Sequence, residues 1–97
     1  KSLFYSGDGR PTSETTRLAE GVDLIVHEAF NLSKDIPGHG TIAGCLEMAR
    51  SCRARRLALV HIQRDIRRER FEEIRELARS VQEVEVLIPE PGDRIVI

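Results

Sequence analysis

Residues 55–65, RRLALVHIQRD, decide how the chain is read. Leu57, Ala58, Leu59 and Val60 form a short apolar run that suits a strand buried on both faces, as in a parallel sheet. The run stops at His61, and polar residues and a helical pattern come after it. In an open α/β sheet the carboxyl ends of the strands form the edge where ligands bind. A histidine at that point is therefore delivered to a ligand-binding edge. Working outward, two earlier strand candidates end in polar residues as well. Residues 3–6 run into Gly7-Asp8-Gly9, and residues 22–26 run into His27-Glu28.

Helical patterns fall between these strands. Thr12 or Ser13 is a suitable N-cap for a short helix reaching about residue 20, with Gly21 as its stop. Residues 31–40 read as a loop, because Pro37, Gly38 and Gly40 break regular structure. Thr41 can cap a second helix whose apolar face is Ile42, Cys45, Leu46, Met48, Ala49 and Cys52, at spacings of three and four. Asp65 is expected to cap a third helix running to about Val81, with Phe71, Ile74, Leu77, Ala78 and Val81 inward. Residues 84–88 alternate like a strand near an edge. The turn Pro89-Glu90-Pro91-Gly92-Asp93 then leads to an expected closing strand, residues 94–97, antiparallel to it. The order is β-α-β-α-β-α-β-β, which predicts an α/β fold with a mainly parallel sheet.

Size and charge limit what the chain can be. With 97 residues it forms a single small unit, 1–97. A net charge of −1 gives no bulk attraction to nucleic acid or anionic lipid. No apolar run approaches the roughly 20 residues of a membrane span. Cys45 and Cys52 sit about 10 Å apart along one helix face, beyond the reach of about 7 Å that a disulfide allows. They read as small core residues in a reducing, cytoplasmic compartment. The chain begins at Lys1 with a strand almost at once, which suggests a piece of something longer.

Several polar residues carry candidate chemistry. Asp8 lies between two glycines after a strand, either as a turn residue or as a functional carboxylate. Glu28 ends an apolar strand, where a carboxylate is costly without a partner; a histidine ring N–H would serve. His39 sits between Gly38 and Gly40, next to a helix N-terminus. Parallel strands ending at Asp8 and His61 would bring together a carboxylate and an imidazole, a donor set that zinc accepts. Arg64, Arg67, Arg68 and Arg70 form either a phosphate-binding surface or a solvated face partly neutralised by Glu69, Glu72 and Glu73.

Taken in order, Ser-Gly-Asp (6–8), Asp-Leu-Ile-Val-His-Glu-Ala-Phe (23–30), Gly-His-Gly-Thr (38–41) and Leu-Ala-Leu-Val-His-Ile (57–62) resemble the C-terminal half of the metallo-β-lactamase fold, in its ribonuclease Z-like branch. The resemblance implies an αββα four-layer sandwich in which each half supplies one sheet and its outer helices. It implies a metal-dependent hydrolase that cleaves a phosphodiester or related ester with a metal-activated hydroxide at a pair of Zn2+ ions. Asp8 would be the metal-bridging carboxylate and His61 the last histidine ligand. Glu28 and His39 would match the His-Glu-Ala-Thr and His-Ser-Thr segments, which cooperate in protonating the leaving group. His27 would be structural.

The chain departs from that pattern at Phe30, where the family has Thr, and at Gly40, where it has Ser. Ile62-Gln63-Arg64 does not continue as the Ser-Pro-Arg-Tyr run of tRNA-processing members. The His-x-His-x-Asp-His cluster that supplies most metal ligands belongs to the N-terminal half. The implied partners are that missing half and a small-molecule ester, phosphodiester or RNA substrate, with a homodimer as a candidate assembly and no membrane. Alone, the chain is expected to be inactive. The rival expectation is a non-catalytic α/β binding or assembly module.

Overall fold

The computed structural model describes residues 1–7, 9–32, 40–90 and 92–96. Asp8 and His39 lie outside the described residues. The elements are β1 (Leu3–Tyr5), α1 (Ser13–Leu18), β2 (Leu24–Glu28), α2 (Ile42–Ser51), β3 (Arg56–Val60), α3 (Arg64–Glu69), α4 (Phe71–Ser80) and β4 (Glu85–Leu87). All four strands are parallel, in the order β1-β2-β3-β4. The expected α/β fold with a parallel sheet is thus what forms.

Register places the side chains. Phe4, Ile25, Leu57 and Val86 are aligned across the sheet, and all belong to or pack on one core cluster. Ile42, Cys45, Met48 and Ala49 of α2 and Ile74 of α4 complete that cluster. Alternation sends Leu3, Tyr5, Val26, Ala58 and Leu87 to the opposite face. Leu3 is 53% and Tyr5 67% exposed there. One face of the sheet is therefore covered by helices, and part of the other is bare.

Helix starts obey local chemistry. Thr12 and Thr15 form a reciprocal capping box on α1. Thr41 accepts from the Gly44 N–H at the start of α2. The third start differs from expectation, because Gln63 rather than Asp65 caps α3 by accepting the Ile66 N–H at 2.9 Å. Asp65 lies in the first turn, where the helix dipole favours a carboxylate.

Three further expectations are corrected. The third helix breaks at Arg70 into α3 and α4. Ile66 of α3 and Ile74 of α4 both pack on the core. β2 does not stop before His27 but runs through Glu28, paired with Val60. Finally, the closing strand expected at residues 94–97 is not formed among the described residues. The turn before it exists, with Asp93 N–H donating to Glu90 O and Glu90 N–H donating to the Asp93 carboxylate. However, β4 ends at Leu87, leaving little strand to pair, and the Val96 carbonyl accepts from the Arg56 guanidinium instead of a backbone N–H.

Candidate functional site

The carboxyl edge of the sheet is built by the residues just beyond β1, β2 and β3. After β1, Ser6 N–H donates to Val26 O, and the Ser6 hydroxyl accepts from the Glu28 N–H. Beyond β2, the chain runs beside the entry to α2: Phe30 N–H donates to Gly40 O, and Ile42 N–H donates to Asn31 O. After β3, Ala29 N–H donates to Val60 O, and Gln63 N–H donates to Phe30 O. Three strand ends are thus stitched together by backbone hydrogen bonds, and Glu28 sits among them.

Glu28 is 1% exposed. Its Oε2 accepts the Gly40 N–H at 2.7 Å. Its Oε1 lies 3.7 Å from His61 Nδ1, an electrostatic approach rather than a hydrogen bond. Its backbone carbonyl accepts from the Cys45 thiol and from His27 Nδ1. Because a carbonyl only accepts, His27 carries its proton on Nδ1. Burial pushes the His27 pKa below its ordinary value, opposed by the hydrogen bond and charge of Glu28. Burial, with the Glu28 charge added, drives the Cys45 thiol up to about 12.

His61 is held in left-handed backbone, φ 56°, a conformation uncommon outside glycine. Its ring meets the ring of Phe30 edge-on, with centroids 5.7 Å apart and planes at 67°. Gly40 is as constrained: a Cβ there would lie 2.5 Å from Glu28 O and 3.1 Å from Gly9 O. Gly9 and Gly40, the neighbours of Asp8 and His39 in sequence, are therefore side by side at Glu28.

Of the expected site residues, Glu28 and His61 are brought together. Asp8 and His39 lie outside the described residues. His27 falls on the core face of β2, fully buried, as a structural residue would. Sequence reasoning marks Phe30 as a departure from a motif, and Gly40 as a departure and a loop breaker. Their contacts depend on the pairing of residues 30–32 with 40–43, which local pattern does not carry. The arginine cluster is largely engaged by its neighbours: Arg67 with Glu90, Arg68 with Asp65 and Glu69, and Arg70 with Glu73. It behaves as a solvated, ion-paired face.

The donor chemistry at His61 fits a metal ligand. A carboxylate behind one ring nitrogen orients histidine ligands and leaves the other nitrogen for the ion. The His61 side chain is 55% exposed, so an ion could reach it. Among the described residues no three His, Cys, Asp or Glu side chains come together as a metal site. A metal at His61 would need further donors from outside them.

No protein-family model matches the chain. Its sequence is similar to ribonuclease Z of Methanothermobacter thermautotrophicus, 42% identical over 84 residues, covering 81% of this chain and 27% of that protein. It is 33% identical to ribonuclease Z of Thermococcus onnurineus over 94 residues, covering 94% of this chain and 29% of that one. It is 34% identical to ribonuclease Z of Pyrobaculum neutrophilum over 107 aligned positions, covering all of this chain and 36% of that one. The chain thus spans no more than 36% of any of these three relatives. Among solved structures it is similar to the metallo-β-lactamase fold protein YhfI of Bacillus subtilis, with a TM-score of 0.80 and 21% identity, covering 94% of this chain and 37% of that one. A diphosphatase of the PhnP family gives a TM-score of 0.73 at 20% identity, covering 99% of this chain and 35% of that one. The chain has part of the metallo-β-lactamase fold, and its sequence is ribonuclease Z-like.

Proposed function

We propose that this ribonuclease Z-like stretch of a metallo-β-lactamase fold is the C-terminal half of a metal-dependent phosphodiester hydrolase. The observation that carries the reading is the carboxylate of Glu28, buried between the Gly40 N–H and the His61 imidazole. Such a carboxylate couples the segment next to His39 to the expected metal ligand. His61, with the Glu28 carboxylate beside Nδ1, would hold a metal through its other ring nitrogen, and Asp8 would supply a carboxylate ligand. Zinc, when bound, supplies Lewis-acid chemistry and the nucleophile. His39, next to Gly40 in sequence, would give a proton to the leaving oxygen.

The substrate is an RNA or another phosphodiester. The bare face of the sheet, with Leu3 and Tyr5 exposed, supports docking of the half that carries the remaining ligands. This chain, 1–97, is then one unit of a larger domain and is inactive alone. Among the described residues no helix is long and apolar enough to cross a membrane. We assign the enzyme to the cytoplasm, in keeping with two buried, unpaired cysteines.

Zinc analysis of the full-length protein tests the reading. Stoichiometric zinc that falls in Asp8→Ala and His61→Ala, together with turnover of a phosphodiester, is the expected result. Zinc content unaffected by both substitutions, or no zinc at all, returns the chain to a non-catalytic binding or assembly module. In His39→Ala, turnover should fall most for substrates with poor leaving groups. Light scattering on the same preparation tests the homodimer.

A further inference from the structure

We propose that Phe30 is a positioning residue for His61, which sets the plane of the imidazole together with Glu28. The inference rests on the reading of His61 as a metal ligand. The two rings meet at 5.7 Å and 67°, inside the range of favourable edge-to-face pairs. The Glu28 carboxylate approaches Nδ1 at 3.7 Å, and the Phe30 ring packs against the imidazole at a steep angle.

The contact is fixed from both sides by the backbone. Phe30 N–H donates to Gly40 O at 3.0 Å, and Phe30 O accepts the Gln63 N–H at 2.9 Å. Gln63 is two residues beyond His61. Ala29 N–H, just before Phe30, donates at 2.9 Å to the carbonyl of Val60, just before His61. The segments carrying the two rings are therefore tied before and after the point where the rings touch. His61 adds its own constraint, φ 56°. Such a conformation persists where the surroundings over-determine it, often at functional sites. The imidazole of this chain is thus oriented by its own protein before an ion arrives.

The test uses the full-length protein, with Phe30→Leu, Phe30→Tyr and His61→Ala. Zinc release to a chelator is monitored in the loaded protein. The His61 ring signals are monitored by NMR in the metal-free protein, assigned by their loss in His61→Ala. Phe30→Leu is expected to speed release about tenfold and to shift and broaden the His61 ring signals, while Phe30→Tyr, which keeps the ring edge, preserves both. Wild-type release and wild-type ring signals in Phe30→Leu overturn the proposal, as does a Phe30→Tyr variant as impaired as Phe30→Leu. The wild type alone also decides it: cross-relaxation between the Phe30 and His61 ring protons is expected, and an imidazole averaging over several orientations contradicts it. If His61→Ala keeps full zinc content and an unchanged release rate, the metal-ligand reading fails instead, and the ring measurements still decide the positioning.

Discussion

The carboxylate of Glu28 accepts a 2.7 Å hydrogen bond from the backbone N–H of Gly40, joining the end of β2 to the entry of α2. Both residues are buried. Breaking this bond from the Glu28 side leaves a buried donor without its acceptor, which costs about 1–3 kcal/mol. Glu28→Ala should therefore lower unfolding free energy in urea by at least that range, since it also opens a cavity. Glu28→Gln keeps an amide oxygen for the Gly40 N–H and should lose clearly less. Equal losses in the two variants would mean that the hydrogen bond is not what Glu28 contributes to stability.

Gly40 is the other half of the same relationship. Its Cα approaches the Glu28 backbone so closely that a Cβ would stand 2.5 Å from the Glu28 carbonyl oxygen. Backbone cannot swing aside as a side chain can. Gly40→Ala should cost about 1–3 kcal/mol, the range of an overpacked site. Gly44→Ala is the natural comparison. There the nearest atom is the Thr41 hydroxyl at 2.9 Å, and loss of that cap, about 1 kcal/mol, is offset by a helix-propensity gain of similar size. Denaturant midpoints should therefore fall in the first variant and stay close to wild type in the second.

How far the site can be read from sequence depends on where its information lies. The apolar run Leu57–Val60 and the polar residue after it are adjacent, so a strand delivering His61 to a sheet edge is legible. Glu28 is legible as a carboxylate in need of a partner. Its bond with the Gly40 N–H is not, because that contact joins residues 12 apart across a loop. The glycine at 40 gives a signal, since it permits close backbone approach, but the group that approaches is Glu28 and not a ligand. The Gln63 cap is hidden because Asp65 is the commoner capping residue. The break at Arg70 carries no local signal, since neither Gly nor Pro lies in residues 64–80 and Arg is a good helix former. The unformed strand at 94–96 shows the limit of turn signals, which announce a reversal without providing a pairing partner for the residues beyond it.

The thiols offer a direct check on burial at the site. Cys45 donates to the Glu28 carbonyl at 3.3 Å, and its pKa is pushed up to about 12. Cys52 is also buried, with its pKa raised chiefly by desolvation. Thiolate is the reactive form. Neither residue should be alkylated by iodoacetamide at pH 8 in the native protein, and both should react at once in denaturant. Rapid modification of Cys45 in the native protein would show that the packing of α2 against the end of β2 opens readily.

His27 ties the same region to pH. Its pKa lies below the ordinary 6.5, first because burial disfavours the charged ring. In the unfolded chain the ring titrates near 6.5, so on acidification the unfolded state takes up its proton first. Stability rises with pH wherever the unfolded state binds more protons. The His27 contribution is therefore fully present above the unfolded value and is lost as pH falls from there toward the folded value, below which it changes no further. His27→Asn can keep a donor for the Glu28 carbonyl, since the Asn side-chain amide occupies much the same place as Nδ1, yet does not titrate. Unfolding free energies at pH 7.5 and 5.5 should differ less in this variant than in the wild type. A difference as large as that of the wild type would mean that the acid sensitivity resides in other groups.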